Sequence, residues 1–389
     1  MAARANTRAY LDYNASAPLR PEAREAALAA FDAPGNPSSV HREGREARRI
    51  VEDARDELSR LAGVASRCVT FVSGGTEAAV SALNPSFGAG PAKAALDRLV
   101  ISGGEHPCVL NGHRFPPSSV EIAPMTRAGV VDLQWLAEAC ARPGRMLLAL
   151  QGANNETGAI QPVAAAAALV HAAGGYVFCD AVQLAGRADC GITALGVDAL
   201  SLSAHKIGGP KGAGALVVAR PAISLGAPLI RGGGQERGAR AGTENVAAIA
   251  GFGAAVGFCR DWEAEAARLA ALTDGLVEAA RAAAPDVVFF ADGSPRLTNT
   301  VCFAVPGLDA ATLMIALDLG GVAVSSGSAC SSGKVAPSHV LLAMGIAPEL
   351  ARGAIRLSLG WASAAPDVAH FAETFATAVA RMRRHGDAA

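Results

Sequence analysis

Residues 146–181 read MLLALQGANNETGAIQPVAAAAALVHAAGGYVFCDA. An apolar run of strand length gives way to an Asn- and Gly-rich turn, then an alanine-rich stretch, a Gly174–Gly175 break and a second apolar run. Alanines favour helix and the glycine pair breaks it, so the pattern predicts a strand, a turn, a buried helix, a turn and a strand. His171 and the two glycines interrupt the segment too soon for a membrane span. The same rhythm continues on both sides, in CVTFVSGG (68–75), RLVISGGEH (98–106), ALSLSAHK (199–206) and GALVVAR (214–220). Runs this apolar suit strands covered on both faces. The expected fold class is therefore α/β, a large unit with a mostly parallel sheet flanked by helices.

Polar residues gather where these runs end: Thr76 and Glu77, His106, Asn154 to Glu156, Asp180, then Ser203, His205 and Lys206. In open α/β sheets the strand C-terminal ends border the ligand crevice, so one pocket can collect them. Further on, GFCRDWEAEAARLAALTDGLVEAARAAA (257–284) reads as one long amphipathic helix, after which strands and helices restart. We expect a large domain over 16–256 and a smaller α+β domain made of 1–15 and 257–389.

The 389 residues carry 34 basic and 35 acidic side chains, net −1. No overall field draws in nucleic acid or an anionic membrane surface, so the expected partners are a small molecule or a protein. Eight cysteines are scattered singly, without a C-x-x-C pair. That argues against a zinc knuckle or a disulfide framework, and no metal is expected. Reduced thiols and an N-terminus with no apolar signal core point to the cytoplasm.

Lys206 stands at a strand end before a glycine-rich turn. A lysine there is ordinarily a solvated charge, but its neighbours suit an amine that binds an aldehyde cofactor covalently. Pyridoxal phosphate needs a phosphate cradle, an acid beside its pyridine nitrogen and a partner for its ring. The Gly75 and Thr76 N–H groups and the Thr76 hydroxyl, at a strand-to-helix turn, suit the phosphate, although such turns often only cap a helix. Asp180 either caps the next helix or pairs with a buried pyridinium. His106 either lies on the ring, acts as acid or base, or is a core histidine. Asn155 and Gln183 are candidates to hydrogen-bond a ring oxygen.

YLDYNASAP (10–18), GNPSSVHREGREA (35–47), FVSGGTEA (71–78), EHPCV (105–109), NNETG (154–158), DAVQ (180–183), SAHKIGGPKG (203–212), RGGGQERGARAGTENV (231–246), SSGSACSSG (325–333) and IRLSLG (355–360) follow in order. In that order and spacing the chain resembles the cysteine desulfurases of the NifS/IscS type, within the class V aminotransferase group. The resemblance implies a fold-type I pyridoxal-phosphate enzyme, a homodimer, that takes sulfur from L-cysteine and leaves alanine. It implies that Lys206 binds the cofactor covalently, Asp180 faces the pyridinium and His106 stacks on the ring. Thr76, Ser203 and His205 would bind the phosphate, and Thr243 would reach the phosphate of the other subunit. Arg356 and Asn36 would hold the substrate carboxylate. The chain departs from many relatives after GGTE, where Ala78, Ala79 and Val80 replace asparagines.

Cys330, set among serines and glycines, reads by itself as an incidental thiol, a redox sensor or a nucleophile. With the resemblance it becomes the nucleophile that takes up the sulfur as a persulfide and passes it to an acceptor, an iron–sulfur scaffold or another thiolation protein. Cys108, two residues past His106, is a lesser candidate for the cofactor's surroundings. The alternatives are another class V reaction, selenocysteine lysis or amino transfer, and a sulfur-relay protein without a cofactor.

Overall fold

The computed structural model describes residues 8–89, 95–326 and 336–386. Cys330 lies outside the described residues. The six apolar runs, with one segment not anticipated, form a seven-stranded sheet: β1 (Val69–Val72), β2 (Arg98–Ser102), β3 (Val120–Ala123), β4 (Met146–Ala149), β5 (Tyr176–Asp180), β6 (Ala199–Ser203) and β7 (Gly214–Val218). Their spatial order is β1-β7-β6-β5-β4-β2-β3. Only β7 opposes its neighbours, running antiparallel to β1 and β6, and the remaining pairs are parallel.

Leu148, Val177, Leu200 and Val217 enter one hydrophobic core, and Leu147, Phe178, Ala199 and Leu216 enter another. Successive residues of a strand point to opposite faces, so a sheet with two cores demands unbroken apolar runs. α1 (Gly75–Ala82) follows β1, and α2 (Val163–Ala172) links β4 to β5 through Gly174 at φ +75°. Ala78 and Ala79 of α1 are fully buried in the second core. Two of the three positions that depart from the family pattern are therefore packing positions, and Val80 is half-buried.

α3 (Val246–Gly257) and α4 (Trp262–Ala283) correct the helix expected to start at Gly257. α3 closes with Phe258 N–H on Ala255 O and Cys259 N–H on Val256 O, and a turn intervenes. α4 restarts with Glu263 and Glu265 in its first turn, where negative charge suits the positive end of the helix. Beyond it, β8 (Val288–Phe289), β9 (Thr300–Ala304), β10 (Ser325–Ser326) and β11 (Ala354–Ser358) form a wholly antiparallel sheet in the order β8-β9-β11-β10. It has its own core around Phe303, Phe371 and Phe375.

The chain's first residues stitch the two sheets together. Ala9–Tyr10 pairs in parallel with Val322–Ala323, Asn14 N–H donates to Ser358 Oγ at 3.0 Å, and Ala17 N–H donates to His205 O at 2.8 Å. Among the described residues no helix is long and apolar enough to cross a membrane.

Candidate active site

A cavity of about 320 Å³ lies where the ends of β5 and β6 and the turn after β1 meet this crossing segment. Gly75, Thr76, His106, Asn155, Asp180, Gln183, Ser203, His205, Lys206 and Arg356 all line it. Asn36 and Thr243 are exposed and lie off it, and Asn36 Oδ1 accepts Ser38 N–H at 2.9 Å within its own turn.

Lys206 follows β6 in a short 3₁₀ turn. Its Nζ donates to the carbonyls of Asn14 and Ala15, the latter at 3.1 Å. Burial, with the charges of Arg356 and Arg187 adding to it, pushes its pKa down to about 8, while Asp180 and Asp12 oppose the fall. About a tenth of the amine is therefore neutral at pH 7, far more than for an ordinary lysine, and this is the form that attacks an aldehyde or takes a proton.

Asp180 ends β5, where its Oδ1 accepts the Ser201 hydroxyl at 2.8 Å and Val182 N–H at 3.1 Å. The carboxylate is thus oriented by two donors. His106 Nδ1 accepts Cys108 N–H at 3.1 Å, which places the proton of the neutral ring on Nε2. Burial is the main reason its pKa is lowered, so the imidazole is uncharged near neutrality. His205 is pushed down to about 4, by burial and then by Lys206 and Lys211, and is a neutral hydrogen-bonding group.

Gly75 opens α1, and a Cβ there would stand 2.9 Å from Val182 Cγ2. A side chain at this position would crowd the mouth of the turn. The first N–H groups of a helix lack intrahelical partners, so with the Thr76 hydroxyl they form a cradle for an anion. Arg356, on β11, donates to Asp12 Oδ1 at 2.6 Å and to Asn155 O at 3.0 Å. Its buried Nε has no hydrogen-bond partner among the described residues. A guanidinium left with an unused donor suits a carboxylate ligand.

Several contributors escaped the sequence reading. Asn14 acts through its backbone: its carbonyl takes both Lys206 Nζ and Gln183 Nε2, the latter at 3.1 Å. Gln151 lines the cavity and donates to Gly104 O at 2.8 Å. Glu105 is fully buried next to His106, and burial and then Asp180 raise its pKa well above the usual carboxyl value. Cys108 does line the cavity, but burial above all, then Asp180 and Glu105, raises its thiol pKa far beyond the range of a nucleophile. Amine, oriented carboxylate, anion cradle and neutral imidazole in one cavity fit an aldehyde cofactor that carries a phosphate and a basic ring nitrogen.

The sequence profile of the aminotransferase class-V family matches residues 9–371. The chain is 37% identical over 379 residues to the cysteine desulfurase IscS of Dictyoglomus turgidum, covering 96% of this chain and 95% of that one. It is 38% identical over 384 residues to an IscS-like cysteine desulfurase of Mycobacterium tuberculosis, covering 97% of each. Its fold is similar to that of a NifS-like protein from Rickettsia africae, with a TM-score of 0.86 at 32% identity over 96% of this chain and 99% of that one. It is similar also to SspA solved in complex with cysteine, with a TM-score of 0.78 at 29% identity over 91% and 99%. With the site and both sheets inside these matches, the chain belongs to the aminotransferase class-V family, among its cysteine desulfurases.

Proposed function

We propose that the chain is a cytoplasmic, homodimeric, pyridoxal-phosphate-dependent enzyme that converts L-cysteine to L-alanine. It leaves the sulfur as a persulfide on Cys330 for an acceptor protein of iron–sulfur cluster assembly or another thiolation. The observation that carries this reading is one cavity holding Lys206 with its lowered pKa, the oriented Asp180 and Arg356 with its unused Nε. When bound, the cofactor supplies an aldehyde for amines and a protonated ring that draws electrons from the substrate Cα.

The remaining work falls to the chain's own residues. Gly75 and Thr76, with Ser203 and His205, would hold the phosphate, and Asp180 would hold the ring's N–H. His106 would cover the ring, while Asn155 and Gln183 would reach its oxygen. Lys206 anchors the cofactor and then, as a neutral amine, takes the Cα proton of the substrate. Arg356 would fix the substrate carboxylate, and Asn36, which lies off the cavity within one protomer, would have to be brought to it to join. Cys330 as thiolate attacks the substrate sulfur: the S–S bond forms as the C–S bond breaks, the electron pair left on Cβ takes a proton to give the alanine methyl, and Lys206 returns a proton to Cα.

Exposed Thr243 would serve the phosphate of a second copy. The unpaired state of each described cysteine fits a reducing compartment. Two separate hydrophobic cores support the division at residue 257.

The test is to mix the yellow protein with L-cysteine without reductant and to measure alanine and protein persulfide in the wild type and in Cys330→Ser. Equal alanine and persulfide in the wild type, with a coloured variant that forms no persulfide, is the expected result. Wild-type alanine release by the variant would refute the role of Cys330.

A further inference from the structure

The segment 231–245 carries Thr243, and it is tied to the phosphate turn of its own protomer. Arg55, on the helix Arg42–Ala62, meets both oxygens of Glu236 at 2.8 Å, and the two side chains are 3% and 1% exposed. Glu236 Oε2 also accepts Phe71 N–H of β1 at 3.0 Å, and Arg237 donates to Val69 O at 2.7 Å. Glu236 and Arg237 have left-handed backbones, at φ 46° and 56°, which non-glycine residues keep only where their surroundings fix them. Closer to Thr243, Arg240 Nε reaches Glu77 Oε1 at 3.1 Å, and Glu77 Oε2 accepts Ser73 N–H at 2.7 Å.

Ser73 and Glu77 bracket Gly75 and Thr76. The Glu77 side chain is only 8% exposed. Burial by itself would raise its pKa, but hydrogen bonds from Ser73 and the charge of Arg240 hold it below the usual value, so the pair is ionised at neutral pH. One carboxylate therefore joins a protomer's phosphate turn to the stretch just ahead of Thr243.

We propose that Glu77 and Arg240 are positioning residues that couple the two cofactor sites of the dimer. A shift in the phosphate turn of one protomer is passed through this pair to the Thr243 that serves the other. The coupling rests on the homodimer reading above.

The test uses heterodimers of two differently tagged protomers, one wild type and one variant. They are stripped of cofactor, titrated with pyridoxal phosphate, reduced with borohydride and weighed as intact chains, so that the mass adduct shows which protomer is loaded. Thr243→Ala in one protomer is expected to weaken loading of the wild-type partner alone. Arg240→Met is expected to weaken loading of both, by roughly tenfold to a hundredfold for loss of a charge-assisted hydrogen bond. Glu77→Gln should do the same, and Arg240→Lys should recover part of the loss. Arg260→Met, which breaks the exposed Arg260–Glu57 pair, should change neither site. A loss confined to the variant's own protomer, no loss, or the same two-site loss from Arg260→Met overturns the coupling while the Thr243 arm still upholds the dimer. If Thr243→Ala leaves the partner's loading unchanged, the contact across subunits fails first, and the coupling falls with it.

Discussion

Glu156 offers a stability experiment with a defined sign. The Asn154 side chain accepts the N–H groups of Glu156 and Thr157, both at 2.9 Å, and this turn drives the Glu156 carboxyl inward until the residue is 2% exposed. Burial raises its pKa from 4.5 to about 7, against the opposing effects of the Ser338 hydroxyl, which donates to it, and of the Arg356 charge. At about 1.36 kcal/mol per unit, that shift is worth about 3 kcal/mol. The folded pKa lies above the unfolded one, so the folded chain holds this proton more tightly. The associated stability is complete below about pH 4.5, falls as pH rises through about 7, and is absent above it.

Glu156→Gln keeps an acceptor for Ser338 and cannot ionise. Urea unfolding of the two cofactor-free proteins should give similar stabilities near pH 5, with the variant ahead by up to ~3 kcal/mol near pH 8.5. Other titrating groups are common to both proteins and cancel in the difference. If the two pH profiles run parallel, within about 0.5 kcal/mol, the carboxyl does not carry the cost of ionising in a buried place, and the reasoning fails.

Arg356→Gln should raise the KM for L-cysteine by roughly tenfold to a hundredfold, the loss expected for a charged partner of a carboxylate. Because Arg356 is the charge that most depresses Lys206 after burial, the same change should move the pH midpoint of pyridoxal-phosphate capture by the cofactor-free protein upward from about 8. An unchanged KM with an unmoved midpoint would remove Arg356 from both roles. Gly75→Ala should weaken cofactor retention by about tenfold, since its Cβ meets Val182 Cγ2 at 2.9 Å. Val182→Ala in the same chain should restore retention, and equilibrium dialysis against pyridoxal phosphate reads both steps.

The parts of the fold that could be read from sequence are those whose two sides are both buried. β4, β5 and β7 are apolar at nearly every position because neighbouring residues face different cores, and β6 adds two buried serines, Ser201 and Ser203, to its apolar positions. β3 escaped notice for the opposite reason: it is the sheet's edge, only four residues long with Glu121 in it, and Ile122 stands 52% exposed. The break between α3 and α4 was hidden because residues 258–261, Phe-Cys-Arg-Asp, contain no Pro or Gly to mark it, and the change is carried by backbone hydrogen bonds at Phe258 and Cys259.

Among site residues, those that act through a distinctive side chain, Lys206, Asp180 and His106, were visible at strand ends. Asn14 was not, because it offers Lys206 a carbonyl that any residue owns. Glu105 and Glu156 look like turn residues in the sequence, and only the fold shows that both are buried.

The contact between Arg356 and Asp12 joins residues near opposite ends of the chain, and the Lys206 amine rests on carbonyls from the first of those ends. During synthesis the large sheet has all its strands once β7 is made, yet Arg356, the charge that most depresses the Lys206 pKa after burial and the proposed partner of the substrate carboxylate, is still untranslated. The full depression of the Lys206 pKa therefore waits for the C-terminal part of the chain. A chain truncated before Arg356 would retain the anion cradle and Asp180 without the means to hold an amino acid for reaction.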